Sequence, residues 1–139
     1  MQFFLQAVSD NILVSALEEI LGFPLEDLTT VARTTQEASR ESVYTIERHN
    51  YLYSMHVTIH WSPRVEPRVD NTAAAALISA RLKTPVVTDA PSTWPRHESP
   101  YVWYLVEPNG ERFLVSENIE AGERHGWLEI DDSSRQRIA

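Results

Sequence analysis

The chain has 139 residues, 42% of them apolar, and carries 20 acids against 12 Lys and Arg, a net charge of −8. A chain of this size fits one packed domain that buries roughly two thirds of its unfolded surface, without help from a metal or disulfide. The absence of cysteine excludes disulfide frameworks, thiolate zinc sites, iron–sulfur clusters and cysteine nucleophiles, and suits a reducing compartment.

The opening MQFFLQAVSD lacks a basic start, a long apolar run and a cleavage signature, so it does not read as a secretory leader. No apolar run approaches the roughly 20 residues of a bilayer span, and a cytoplasmic protein is expected. QFFLQAV (2–8) predicts a strand and Ser9-Asp10-Asn11 a helix cap. Ile12, Leu13, Ala16, Leu17, Ile20 and Leu21 then recur at the spacing of one helical face, until Gly22 and Pro24 end the helix. Residues 26–42 are polar, with β-branched character only at TTVAR. VYTIERH (43–49) and YLYSMHVTIHW (51–61) predict a hairpin turning at Arg48-His49-Asn50. After the extended SPRVEPRVD, Asp70 or Asn71 caps a second helix, TAAAALISARLK, with Leu77, Ile78 and Leu82 as its bulk, and PVVTD (85–89) reads as a buried strand. Strand, helix, strand, strand, helix, strand is the order of a split βαβ unit.

Beyond it lies the proline-rich loop DAPSTWPRHESP, and then two strand-like runs, YVWYLV and ERFLV, on either side of a turn at Glu107-Pro108-Asn109-Gly110. GWLEI offers one more strand, and 133–139 reads as a polar, frayed tail. The expectation is a single α+β domain over 1–132: two helices on an antiparallel or mixed sheet of about five to seven strands.

His56 and His60 have the H-x-x-x-H spacing of a helical zinc pair. On a strand they stand about 13 Å apart, too far to share one ion. Strand parity puts Tyr53, Met55, Val57, Ile59 and Trp61 on a buried face, and Ser54, His56, Thr58 and His60 on a wet one. His49, His97 and His125 come without partner patterns, and four glycines give no phosphate cradle. The adjacent acid pairs Glu18-Glu19, Glu26-Asp27 and Asp131-Asp132 suit solvated surfaces better than catalysis. No catalytic residue, metal ligand or cofactor is assigned, and an enzyme is not expected. In the third-quarter run, Tyr101, Trp103 and Leu105 share one face and Val102, Tyr104 and Val106 the other, the pattern of a strand covered on both sides.

The charge is uneven. Residues 1–30 hold five acids and no Lys or Arg, and 98–132 hold nine acids against Arg112 and Arg124. Such ends repel a phosphate backbone and attract a basic partner; they equally keep a protein in solution. From Thr72 onward, TAAAALISARLKTPVVTDAPSTWPRHESPYVWYLVEPNGERFLV resembles the small cytoplasmic immunity proteins of bacterial toxin–immunity pairs, in the order helix, PVVTD, proline-containing loop, hairpin. The resemblance implies a non-enzymatic protein that binds and blocks a cognate toxin. With the acidic surface, it implies a basic toxin as partner, and neither nucleic acid nor membrane. The residues expected to meet it are Trp94, Glu117, Glu120, Glu123, Trp127, Glu129, Asp131 and Asp132. Two alternatives stay open: a small-ligand or enzymatic domain with His97, Glu98 or His125 at a pocket mouth, and an adaptor that pairs through a strand edge.

Overall fold

The computed structural model describes residues 1–29, 41–91 and 101–138; Trp94, His97 and Glu98 lie outside them. In chain order the elements are β1 (Gln2–Leu5), α1 (Asp10–Leu21), β2 (Glu26–Asp27), β3 (Ser42–Arg48), β4 (Met55–Trp61), α2 (Asn71–Leu82), β5 (Val86–Asp89), β6 (Val102–Val106), β7 (Arg112–Glu117), α3 (Ile119–His125) and β8 (Ile130–Ile138). All eight strands join one sheet in the order β2-β3-β4-β1-β5-β6-β7-β8. The β2–β3 pair is parallel and the rest are antiparallel. Its inner strands, β3-β4-β1-β5, with α1 and α2 as the crossovers, form the split βαβ (ferredoxin-like) unit that the order of elements predicts. β6, β7 and β8 extend that unit beyond β5.

Alternation along the strands builds a core on each face of the sheet. On one face Phe3, Leu5, Met55, Val57, Ile59, Val86, Tyr104 and Val106 meet Leu13, Leu17 and Leu21 of α1 and Ala74, Ala75 and Ile78 of α2. On the other, Phe4, Tyr53, Val87, Leu105, Val115 and Leu128 cluster, with Trp103, Phe113, Trp127 and Ile130 packed against them. Both parities of β1 and β6 are therefore covered, as the apolar residues on both faces of YVWYLV predict.

The helix ends follow their sequence signals. The Ser9 hydroxyl accepts from the Ile12 amide at 3.3 Å, and Gly22, at φ +89°, donates its N–H to the Glu18 carbonyl. A side chain at Gly22 would also press on the movable Arg68 side chain, but it is the left-handed conformation that requires glycine there. Asp70 caps α2 by accepting from the Ala73 amide at 2.9 Å. The buried Ser79 hydroxyl donates to the carbonyl oxygens of Thr84 (2.7 Å) and Val106 (3.3 Å), which fixes the rotation of α2 on the sheet.

Several expectations are corrected. The described elements are eight strands and three helices rather than five to seven and two. The third helix, α3, is seven residues long, capped by the Asn118 side chain on the Ala121 amide and by Gly126 at φ +68°; so short a segment shows little periodicity. The 133–139 tail is not frayed over 133–138, because those residues complete β8; an edge strand needs only one row of backbone bonds and leaves polar side chains to water. The hairpin turns over 49–54, closed by the His49 amide on the Ser54 carbonyl at 2.8 Å, so Tyr53 precedes β4 and enters the second core instead of the first. Ile12 and Leu77, expected in the core, are 56% and 48% exposed.

Candidate functional site

Among the described residues the second face of the sheet is only partly roofed. Trp127, Leu128 and Ile130, in the segment after α3, pack with Val87, Leu105 and Val115, and an open groove of about 390 Å³ lies beside them. Its floor is Phe4 of β1 and His56 of β4. Trp103 of β6, Tyr101, Trp127 and Leu128 form its walls, and Ile119, Gly122, Glu123 and Gly126 form its α3 side. Glu47 of β3 and Glu117 of β7 complete it.

The floor is a cross-strand pair. Phe4 and His56 face each other in the β1–β4 register, and their rings stack at 4.0 Å with 2° between planes. Trp103 and Trp127 meet Phe4 edge-on at 5.6 and 5.9 Å, both at 85°, the arrangement that sets ring edges against a ring face. Polar bonds lock this geometry. The Trp127 indole N–H donates to the Tyr53 carbonyl at 2.6 Å, and the Trp103 N–H donates to Glu117 Oε1 at 3.3 Å. Behind Trp127, His49 stacks on its indole at 5.2 Å and on Tyr51 at 4.3 Å, and the Tyr51 hydroxyl bonds His125 Nδ1. His49 Nδ1 is buried without a described partner. Gly122 lets the chain return after α3. A Cβ there would lie 3.0 Å from the Trp127 carbonyl, and the Gly122 carbonyl accepts the N–H groups of both Gly126 and Trp127.

Burial favours the neutral form of His56. Burial lowers its pKa below 6.5, against smaller opposing effects from Glu47 and Asp89. Its tautomer follows from a relay. Gln2 Nε2 donates to Asp89 Oδ1 at 3.0 Å, which leaves Gln2 Oε1, 2.9 Å from His56 Nε2, to accept a proton from that nitrogen. The groove thus offers ring faces, a neutral imidazole and three carboxylates, with no Lys or Arg among its described lining residues.

The structure separates the residues that the sequence groups as a partner surface. Glu117, Glu123 and Trp127 line the groove, and Glu120 is exposed on the same helix. Glu129 and Asp132 border a smaller depression of about 220 Å³ with Tyr51, Leu52, Tyr53, Leu128 and Ile130. Asp131 accepts from the Ser133 amide and hydroxyl, Asp132 pairs with Arg135 at 3.3 Å, and Glu129 lies 3.9 Å from His125. Asp131 and Asp132 are thus engaged within the chain. Glu47, Glu117, Glu120 and Glu123, by contrast, form no ion pair with a described Lys or Arg. Trp94 lies outside the described residues. His125 bonds Tyr51 and is not among the groove's described lining residues.

Parity alone misses Phe4, Glu47, Trp103 and His56 as site residues. The wet-face assignment of His56 is corrected: it is half-buried beneath Phe4 and Trp127. The signal was present in QFFL, whose apolar residues of both parities mean that β1 is covered on both faces, so its neighbour β4 cannot be fully wet on either. His60, four residues on, is exposed. Among the described residues no three His, Asp or Glu side chains converge as a metal site, and no helix is long and apolar enough to cross a membrane. No protein-family model, curated protein or solved structure matches the chain.

Proposed function

We propose that the protein is a non-catalytic, cytoplasmic binding protein of the immunity type, which blocks a basic effector protein through the face formed by the groove and α3. The observation that supports this reading is the uneven pairing of its acids. Around β8, Glu107, Asp132 and Glu111 form ion pairs with Arg135 and Arg137, at 2.9, 3.3 and 3.7 Å. Around the groove, Glu47, Glu117, Glu120 and Glu123 form no ion pair with a described Lys or Arg and stand beside partly exposed aromatic rings. Aromatic anchors inside a charged rim are the anatomy of a protein interface, and the rim charge accelerates association with a partner of opposite sign.

Pairing through the β8 edge is disfavoured as an alternative. Register with β7 breaks between Leu114 and Ser116, and Asp131, Asp132, Arg135 and Arg137 line that strand, features that oppose the addition of a further strand.

The test is association kinetics with the protein encoded beside this one, for wild type and for the Glu120→Lys, Glu123→Lys double variant, across a salt series. The expected result is an association rate about tenfold slower in the variant, a steep salt dependence in the wild type alone, and unfolding changed by no more than about 1 kcal/mol. An association rate indifferent to both salt and charge reversal would refute the reading.

A further inference from the structure

Resting on the reading above, we propose that the groove is a receptor for one arginine side chain of the partner, held by ring faces and by the carboxylates of Glu117 and Glu123, with Glu47 adding negative charge at the β3 end. Three features select this occupant. Glu47 on β3 and the pair Glu117 and Glu123 beside α3 contribute three negative charges, with no described Lys or Arg in the lining. His56, which would oppose a cation if protonated, lies under Phe4, where burial favours its neutral form. Tyr101 is 44% exposed and Trp103 and Trp127 are half-buried, so rings as well as charges are available in the groove.

A planar guanidinium uses both. It is weakly hydrated, stacks on aromatic rings and directs a fork of N–H donors in its own plane toward carboxylates. A lysine ammonium gives up more hydration and has no flat face. A volume near 390 Å³ lies at the lower end of ligand-sized sites and suits a side chain rather than a large cofactor. The Trp103 N–H bond to Glu117 Oε1 holds that carboxylate at the groove without neutralising it.

The test follows the indole N–H signals of Trp103 and Trp127 in an ¹⁵N–¹H NMR titration of the full chain with N-acetyl-arginine methylamide. The matching citrulline and lysine amides serve as a neutral isostere and a point-charge control. Saturable shifts of both indoles are expected with arginine, weaker binding with lysine, and none with citrulline. Glu117→Gln with Glu123→Gln, which retains an acceptor for the Trp103 N–H, is expected to weaken arginine binding by about fivefold or more per carboxylate. Equal shifts with citrulline, or indoles unmoved by arginine, would overturn the proposal. A second arm separates it from the reading on which it rests. If the neighbouring protein binds the double glutamine variant as it binds wild type, the arginine receptor is wrong and the immunity reading survives elsewhere on the surface. If arginine saturates the groove but that protein does not bind, the receptor stands and the immunity reading falls.

Discussion

Adjacent residues of α2 give the sharpest test of how this helix sits on the sheet. Ile78 is fully buried, while Leu77 is 48% exposed. Truncation of each to alanine removes a similar number of carbons, so side-chain chemistry alone predicts similar losses. The structure predicts otherwise. Ile78 lies in the core among Ala74, Ala75 and the sheet, and α2 cannot roll to fill a cavity because the Ser79 hydroxyl is bonded to two carbonyls, one on β6 and one after the helix. Ile78→Ala should therefore cost about 2–5 kcal/mol, near the upper part of that range because the site resists collapse. Against a total stability of roughly 5–15 kcal/mol, this amounts to a fall in melting temperature of about 10 °C or more. Leu77→Ala should cost about 1 kcal/mol or less, since half of its surface already faces water. Urea unfolding followed by circular dichroism, with the slope of the transition unchanged in both variants, measures the difference directly. Equal midpoints, or a larger loss at Leu77, would mean that α2 is rotated from the position described.

Three further outcomes follow from the second face. His56 has its pKa lowered by burial, so on acidification through 6.5 the unfolded chain takes up a proton that the folded one refuses; stability should fall with pH in that window, and His56→Gln should flatten the slope in unfolding curves taken between pH 7 and 5. Burial raises the Tyr53 phenol from 10.0 to about 12, so between those values the unfolded chain alone is deprotonated and stability should drop by about 3 kcal/mol as pH rises; Tyr53→Phe should remove most of that loss, with Tyr44, shifted in the same direction, supplying the rest. Trp127→Ala should cost about 3 kcal/mol in denaturant unfolding, because it empties a site packed by Phe4, His49 and His56 and leaves the Tyr53 carbonyl without its donor; an unchanged midpoint would show that this indole only decorates the surface.

Much of the fold is legible because local signals and tertiary demands agree. Ser9, Gly22, Asp70 and the Glu107–Gly110 turn mark element ends by backbone chemistry that operates wherever the chain goes. Leu77 and Tyr53 are misplaced for the opposite reason. Helical spacing assigns a stripe but not its rotation, and an alanine-rich helix such as TAAAALISARLK leaves that choice to a buried serine that reaches Val106, 27 residues on. Strand parity likewise holds only within a strand, and Tyr53 lies two residues before β4 begins. The acids of 98–132 are visible as composition, but their division is not. Whether Glu117 and Asp132 are free or paired depends on where Arg135 lies after β8 folds beside β7.

The location of the groove follows from the architecture. Among the described residues, two twelve-residue helices cover one face of the eight-stranded sheet, while the other has a helix of only seven residues. A sheet so unequally covered must protect its second apolar face by other means, and Phe4 shows how. It is only 7% exposed, and its ring neighbours are an imidazole that lies flat on it and two indoles nearly perpendicular to it. These rings are amphipathic. They shield Phe4 with carbon while their nitrogens bond to Gln2, Glu117 and Tyr53. A roof of leucines would bury the same surface and leave nothing to recognise. A roof of histidine and tryptophan shields the core best with His56 neutral, the form that burial favours, and a neutral ring adds no positive charge to a groove whose described charged residues are carboxylates. The burial that completes the second core thus also favours the ring form that suits the proposed cationic occupant.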